Sequence, residues 1–302
     1  MKTRMFLCSF LFSLAVSAQP LDTAKINQIM GVPGTMNTNE HVFKVTAART
    51  DVKVKVDGWA MPPFMGLASW AAFSGSGEQV MVMGDTVLFQ DEVNAAMSTA
   101  LDNGLSVTAL HNHFFYDEPK VYFMHIGGQG SAETLAAAVK KVWDKIKEIR
   151  AANPQPANTF GSAPFAETNA ITAKPLDGIL AARGQSNNGM YKVVIGHPTK
   201  MSGMDVGKDL GANTWAAFAG TDDNAVVDGD FAVAEDELQN VLKTLRKGGV
   251  SIVAIHSHMT GETPRILFLH YWGRGSASDL AKTLKAALDT QGKAPASVMR
   301  TM

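Results

Sequence analysis

Six of the eight histidines fall into two copies of one pattern, and imidazole can bind metals or transfer protons. In each copy one residue separates two histidines, and eleven residues then precede a third histidine. The two sets are His111, His113 and His125, and His256, His258 and His270. Three neutral imidazoles suit Zn, Cu, Fe or Ni, and three protein ligands leave a position open for water or substrate.

The spacing places three histidines together if each segment is a β-hairpin. Residues i and i+2 of a strand point to the same face, so His111 and His113 project together. A hairpin that turns at Pro119 pairs His113 with His125, with Cβ atoms roughly 4.5–5.5 Å apart, and Pro264 gives the second copy the same pairing. A register shift of one residue would move the third histidine to the other face.

We therefore expect a divalent transition metal, with Zn as the first candidate and Cu, Fe and Mn as further ones. The alternative is that the histidines only form hydrogen bonds with one another and with carboxylates.

Acidic residues near each histidine set could act as an acid or a base. Asp117, Glu118 and Glu262 lie close to the two prolines, where they could transfer protons or orient a ligand; they could equally be solvated turn residues. Asp85 and Asp230 follow a glycine in both copies and could support the site. Gly-Asp is also common in β-turns, and we expect a turn there.

The histidine sets belong to a tandem duplication with an offset of 145 residues. Trp70–Phe73 recurs as Trp215–Phe218, and Gly128–Ala132 is matched by Gly273–Ala277. We interpret the tryptophan that opens each motif as a core anchor rather than a surface on which a ligand stacks. Repeats of this length indicate duplication of a whole domain, not a short solenoid unit.

The repeats divide the chain into four segments. Residues 1–18 are expected to be a signal peptide, 19–150 the first repeat, 151–173 a linker rich in Ala, Pro, Asn, Ser and Thr, and 174–302 the second repeat. The linker has no lasting helical or alternating pattern, which is typical of a connecting segment.

Each repeat mixes strands and helices. In the first repeat, helices are predicted over 91–102 and 132–149, and a strand pair over 105–114 and 120–127. The predicted class is α+β: a tandem duplication of an α/β sandwich-like domain with antiparallel strands and two helices per copy. This order of elements argues against a doubly wound parallel sheet.

The first residues predict export. Lys2 and Arg4 precede an apolar run over 5–16, and Val16-Ser17-Ala18 is a small-residue cleavage site. Cys8, the one cysteine, lies inside the apolar run and too early for lipidation. The mature chain therefore lacks disulfides and thiolate ligands, and we expect a periplasmic or secreted protein. No later segment is long and apolar enough to predict a transmembrane helix.

Composition excludes some functions. With 27 basic and 28 acidic residues, the chain has no positive excess to neutralise phosphates, so nucleic acid is not expected as a partner. Hydrophobic residues make up 46%, enough for a substantial core. The sequence does not determine the oligomeric state.

The repeated Trp-Ala-Ala-Phe motif and the segments 226–232 and 254–273 resemble the DUF1259 family, also called LppY/LpqO. The resemblance covers nearly all of the mature chain and is sharper in the second repeat. It implies an exported protein of two copies. The family is named for lipoproteins, but this sequence lacks a lipobox, so a lipid anchor does not transfer. The resemblance supplies no activity and no catalytic residues.

Two functions are compatible with these features. The first is an exported, hydrolase-like enzyme in which a metal-bound water is the nucleophile. The alternative is a non-catalytic periplasmic protein that binds a metal, a small molecule or an envelope ligand.

Overall fold

The computed structural model describes residues 20–161, 164 and 167–292. The signal peptide expected at 1–18 lies outside these residues. Within them, no helix is long and apolar enough to span a membrane.

The two repeats contain the same series of elements. The first comprises α1 (Thr23–Met30), β1 (Gly34–Asn37), β2 (Val42–Ala48), β3 (Lys55–Val56), β4 (Trp59–Ala60), β5 (Ala68–Ser76), β6 (Gln79–Phe89), α2 (Gln90–Asp102), β7 (Ser106–His111), β8 (Asp117–Glu118), β9 (Val121–Gly130) and α3 (Ala132–Ala152). The second comprises α4 (Ala173–Leu180), β10 (Gln185–Asn187), β11 (Met190–Gly196), β12 (Thr199–Met201), β13 (Met204–Val206), β14 (Asn213–Gly220), β15 (Ala225–Ala234), α5 (Leu238–Lys247), β16 (Ser251–His256), β17 (Glu262–Thr263), β18 (Ile266–Gly275) and α6 (Ala277–Leu288).

Twelve strands form one antiparallel sheet to which each repeat contributes six. The order is β1-β2-β5-β6-β9-β7 in the first repeat, continued by β16-β18-β15-β14-β11-β10 in the second. The halves meet where Leu110 of β7 pairs with Ile255 of β16. The second half repeats the first in reverse order, so the repeats are related by an approximate twofold axis at this seam.

The helices pack on one face of the sheet and build a core that both repeats share. Phe73 and Met97 of the first repeat belong to the same buried cluster as Phe218 and Leu284 of the second. Burying each such side chain stabilises the fold by roughly 1.5–3 kcal/mol. The opposite face, which we call the open face, is partly covered by the small sheets β4-β3-β8 and β13-β12-β17.

The predicted α+β tandem duplication is confirmed. Each repeat also begins with a short helix, α1 or α4, so the described residues contain three α-helices per repeat. A segment of eight residues gives only a weak periodic signal in the sequence. Helices this short depend on tertiary packing for their stability. In α1 the Asp22 side chain accepts a hydrogen bond from the Lys25 amide at 2.9 Å, and Gly31 ends the helix at φ +70°.

Two equivalent side-chain amides, one from each repeat, form hydrogen bonds to the backbone of the other repeat across the seam. The Asn94 Oδ1 atom accepts from the Ile252 amide at 2.8 Å, and the equivalent Gln239 Oε1 accepts from the Val107 amide at 2.9 Å. The Gln239 Nε2 also donates to the Val107 carbonyl at 2.9 Å. Both contacted residues border a register shift in their strands, so each amide satisfies backbone groups that an adjacent strand would otherwise bond.

Candidate metal centre

The histidine strands pair in a different register from the one expected. His125 lies opposite Ala109, and His111 lies opposite Phe123, whereas His113 follows the end of β7. The expected pairing of His113 with His125 is therefore wrong by four residues. Because four is even, the histidines still share one face of the sheet.

The register changes because the connecting segment leaves the sheet. Asp117 and Glu118 form β8, which pairs with Val56 and Lys55 in a small sheet. The connection between β7 and β9 is consequently longer than a tight turn at the proline would be. In the second repeat His256 lies opposite Phe268 in the same way.

In the second repeat a carboxylate and imidazoles converge. One ligand atom from each of Asp230, His256 and His258 lies within 4.8 Å of the other two. The Asp230 Oδ2 is 3.1 Å from His258 Nε2, and its Oδ1 is 3.8 Å from His270 Nδ1. The ring centroids of His256 and His270 are 4.4 Å apart. We call these four residues the second-repeat cluster.

Two buried atoms of this cluster have no hydrogen-bond partner among the described residues. They are the Oδ1 of Asp230, a residue that is 2% exposed, and the Nδ1 of His256. A buried polar group without a partner costs about 1–3 kcal/mol. A carboxylate oxygen and an imidazole nitrogen are both electron-pair donors, so these residues fit a divalent transition metal.

Burial also favours the form of His256 that binds metals. Desolvation is the main cause that lowers the pKa of His256, and the neighbouring His270 and His258 lower it further, whereas Asp230 and the backbone of Phe268 act in the opposite direction. The imidazole is therefore neutral near pH 7, as metal ligation requires.

Asp230 lies inside strand β15, opposite Trp215 on one side and His270 on the other. The turn expected at each Gly-Asp pair is wrong, because these residues lie within continuous strands. Gly229 serves a close approach instead. A Cβ atom there would lie 2.2 Å from the hydroxyl of Tyr271, which donates a hydrogen bond to the Trp215 carbonyl at 2.9 Å.

A buried phenylalanine orients the middle histidine of each set. The ring of His258 stacks on Phe268 with centroids 3.4 Å apart and planes 10° apart. His113 stacks on Phe123 at 3.6 Å and 9°. Sequence reasoning missed these two phenylalanines, although a Phe-x-His sequence ends both histidine patterns.

The equivalent residues Asp85, His111, His113 and His125 form the first-repeat cluster, which is similar but less convergent. The rings of His111 and His113 are 5.1 Å apart, and those of His111 and His125 are 5.2 Å apart. Asp85 pairs with His125 in the sheet, and its buried Oδ1 has no hydrogen-bond partner in the described part of the chain. The ring planes of His111 and His113 are 13° apart, whereas those of the equivalent pair in the second repeat are 53° apart. Among the described residues, ligand atoms converge within 4.8 Å of one another only at Asp230, His256 and His258, so the second-repeat cluster is better arranged for a metal.

The acidic residues beside the prolines are bound within their own loops. The Asp117 Oδ2 accepts from the Val121 amide at 2.7 Å, and the Glu262 Oε1 accepts from the Ile266 amide at 3.1 Å. Glu118 is exposed on β8. The carboxylates that lie beside the imidazoles are those of the two Gly-Asp pairs.

The repeated tryptophans lie on the open face and are only partly buried, so their interpretation as core anchors is wrong. The Lys44 Nζ lies 4.3 Å from the ring centre of Trp70, and the Lys192 Nζ lies 4.2 Å from that of Trp215. Each tryptophan pairs with the aspartate of its cluster, so a cation–π pair borders each candidate site.

Searches of curated proteins and of solved structures found no match. A family profile described as Domain of Unknown Function (DUF1259) matches residues 24–145 and 174–290, one match in each repeat. The matched segments make up more than half of the chain and include both histidine clusters. The chain therefore belongs to the DUF1259 family.

Proposed function

We propose that this protein binds a divalent transition metal at the second-repeat cluster and uses it in a hydrolase-like reaction. Asp230, His256 and His258 are the proposed ligands. Their convergence, together with the partnerless Asp230 Oδ1 and His256 Nδ1, is the observation that carries the proposal. Two imidazoles and one carboxylate suit Zn and also Fe. We keep Zn as the first candidate, with Cu and Mn as further possibilities.

Three ligands leave room for a water molecule and a substrate. A metal in this position would lower the pKa of a bound water and make it a nucleophile near neutral pH. His270 is 47% exposed and its Nδ1 lies 3.8 Å from Asp230, so we assign it proton transfer at the solvent side. The same role for Asp117, Glu118 or Glu262 is less favoured. Asp117 and Glu262 are buried and accept hydrogen bonds from backbone amides of their own loops, and Glu118 is exposed on β8.

The geometry also supports the non-catalytic alternative. If His270 completes the ligand set, four protein ligands saturate a tetrahedral site, as in structural zinc sites. The protein would then bind a metal or an envelope ligand without turnover. Metal retention after His270→Ala separates the two functions: a fourth ligand is needed for full affinity, whereas a proton-transfer group is not.

We infer from the sequence that the protein works in the periplasm or outside the cell. Its partners would then be a metal ion and a small molecule or envelope component. Expression with residues 1–18 intact, followed by fractionation and N-terminal sequencing, tests this location. Full-length protein in the cytoplasm with an uncleaved N-terminus would contradict it.

Elemental analysis tests the metal proposal. The protein is purified without a histidine tag, beside a triple variant with Asp230, His256 and His258 replaced by alanine. His41→Asn is the matched control, since this exposed histidine lies outside both clusters at φ +54°, which asparagine tolerates. We expect about one metal per chain that only the triple variant loses. A triple variant with full occupancy, or a wild type that takes up no metal after incubation with Zn and Fe, would overturn the proposal.

A further inference from the structure

A cleft of about 450 Å³ opens on the second repeat's side of the seam, and we call it the seam cleft. It lies between helix α2 and strands β16 and β18. Its wall includes a tyrosine from β9, a phenylalanine from the segment after α3 and a tryptophan from β18, together with a carboxylate and a cluster histidine. These residues are Tyr122, Phe160, Trp272, Asp228 and His270.

The seam itself creates this space. Strands β7 and β16 share the single pair Leu110–Ile255, so the first half of β16 pairs with β18 on one side and has no strand on the side that faces the first repeat. Asn94 of α2 bonds to the backbone of Ile252 in place of a strand, and both residues line the cleft. Val253, which is 43% exposed, follows in the same wall. The open volume therefore follows from how the repeats join.

The approximate twofold axis produces a second cleft of about 410 Å³ with different chemistry. Glu235, Asp236 and Arg265 give that cleft charges of both signs. At the 145-residue offset, Trp272 of the seam cleft corresponds to Gly127, and Asp228 corresponds to Met83. The aromatic wall and its carboxylate thus distinguish the seam cleft from its counterpart.

We propose that the seam cleft binds a small organic cation, with a substituted ammonium group held between the aromatic faces and Asp228. Ring faces of tryptophan, tyrosine and phenylalanine attract cations, and tryptophan does so most strongly. Asp228 carries the one formal charge among the described residues that line the cleft. The volume lies within the range for small-molecule sites. This inference does not depend on metal binding.

The position of the cleft adds a link to the candidate metal centre. His270 lines the cleft and also lies against Asp230. A cation held in the cleft would therefore place the rest of its molecule beside the second-repeat cluster. The first-repeat cluster has no equivalent aromatic wall among the described residues, since Gly127 replaces the tryptophan there.

Binding of choline tests the proposal, with 3,3-dimethylbutanol as an uncharged probe of the same shape. Dissociation constants are measured by calorimetry or ligand-observed NMR on the full mature chain, with metal and after chelation. We expect choline to bind about 10-fold more tightly than the alcohol in both states. Trp272→Ala and Asp228→Asn should each weaken choline binding by about 3- to 30-fold, the range of a partly desolvated cation–π or ionic contact.

The counterpart cleft provides the matched control. Arg265→Ala should leave choline binding unchanged, and circular dichroism with urea unfolding confirms that each variant is folded. Equal binding of the two probes, or wild-type binding of choline by Trp272→Ala, would overturn the proposal. Because measurements are made with and without metal, a failure here differs from a failure of the metal site.

Discussion

Replacement of Glu92 by glutamine should destabilise the protein more than the same change at Glu237, although the two positions are equivalent. Glu92 is fully buried and binds Arg49 through two bonds of 2.9 and 3.0 Å. The Nε of Arg150 lies 2.8 Å from the same carboxylate. At the equivalent place Glu237 faces His197, whose Nε2 is 2.8 Å away.

The expected difference follows from the charge that each change leaves behind. Removal of one partner from a buried ion pair costs about 3–5 kcal/mol, because the other charge stays buried. Arg49 keeps Asp51 and Arg150 keeps Asp91, so we expect the lower end, about 3 kcal/mol. A histidine can release its proton, so the change at Glu237 costs only its hydrogen bonds, about 1–2 kcal/mol.

Urea unfolding at pH 7 measures both values. We expect one transition for both repeats, since they share a core, and unchanged m values that allow midpoints to be compared. Glutamine keeps the size of the side chain, so packing changes little. An equal or larger loss for Glu237→Gln would refute the argument that arginine and histidine differ in the charge left buried.

Three further predictions concern stability and metal affinity. Burial alone would raise the pKa of Glu237, but hydrogen bonds from His197 and from backbone amides outweigh it and hold that pKa below its usual value. The stability it contributes is therefore complete at neutral pH and lost as pH falls through the lowered pKa, so urea unfolding should show that Glu237→Gln costs less at pH 3 than at pH 7. Phe268→Leu should weaken metal binding about 10-fold in a metal titration by releasing the stacked histidine, whereas Phe123→Leu should leave second-repeat affinity unchanged; equal effects would contradict the stacking role. Gly229→Ala should destabilise by about 1–3 kcal/mol in the same unfolding assay, because its Cβ would overlap the Tyr271 hydroxyl; a neutral result would contradict the close packing.

The shared face of the histidines was predictable because strand periodicity is two. An error of four residues in register leaves this parity unchanged, so His111 and His125 still lie on one face. The register itself was not predictable from the proline. It depends on Asp117 and Glu118 pairing with β3, which lies about 60 residues earlier in the chain.

The carboxylate of the site was harder to recognise because its local sequence is compatible with either a turn or a continuous strand. A Gly-Asp pair is typical of a turn, but here glycine makes room for Tyr271 from another strand. The partly buried position of Trp215 likewise depends on which face of the sheet the helices cover. The seam cleft depends on how β7 meets β16, and no local pattern in either strand encodes that contact.

Zinc titration of the metal-free chain tests the central claim most directly. Two triple variants are compared: one replaces Asp230, His256 and His258 by alanine, and the other replaces His111, His113 and His125. The account predicts that calorimetry detects a tight site of about one zinc per chain, lost in the first variant and retained in the second. A tight site that survives in the first variant and disappears in the second would contradict the assignment of the metal centre to the second repeat.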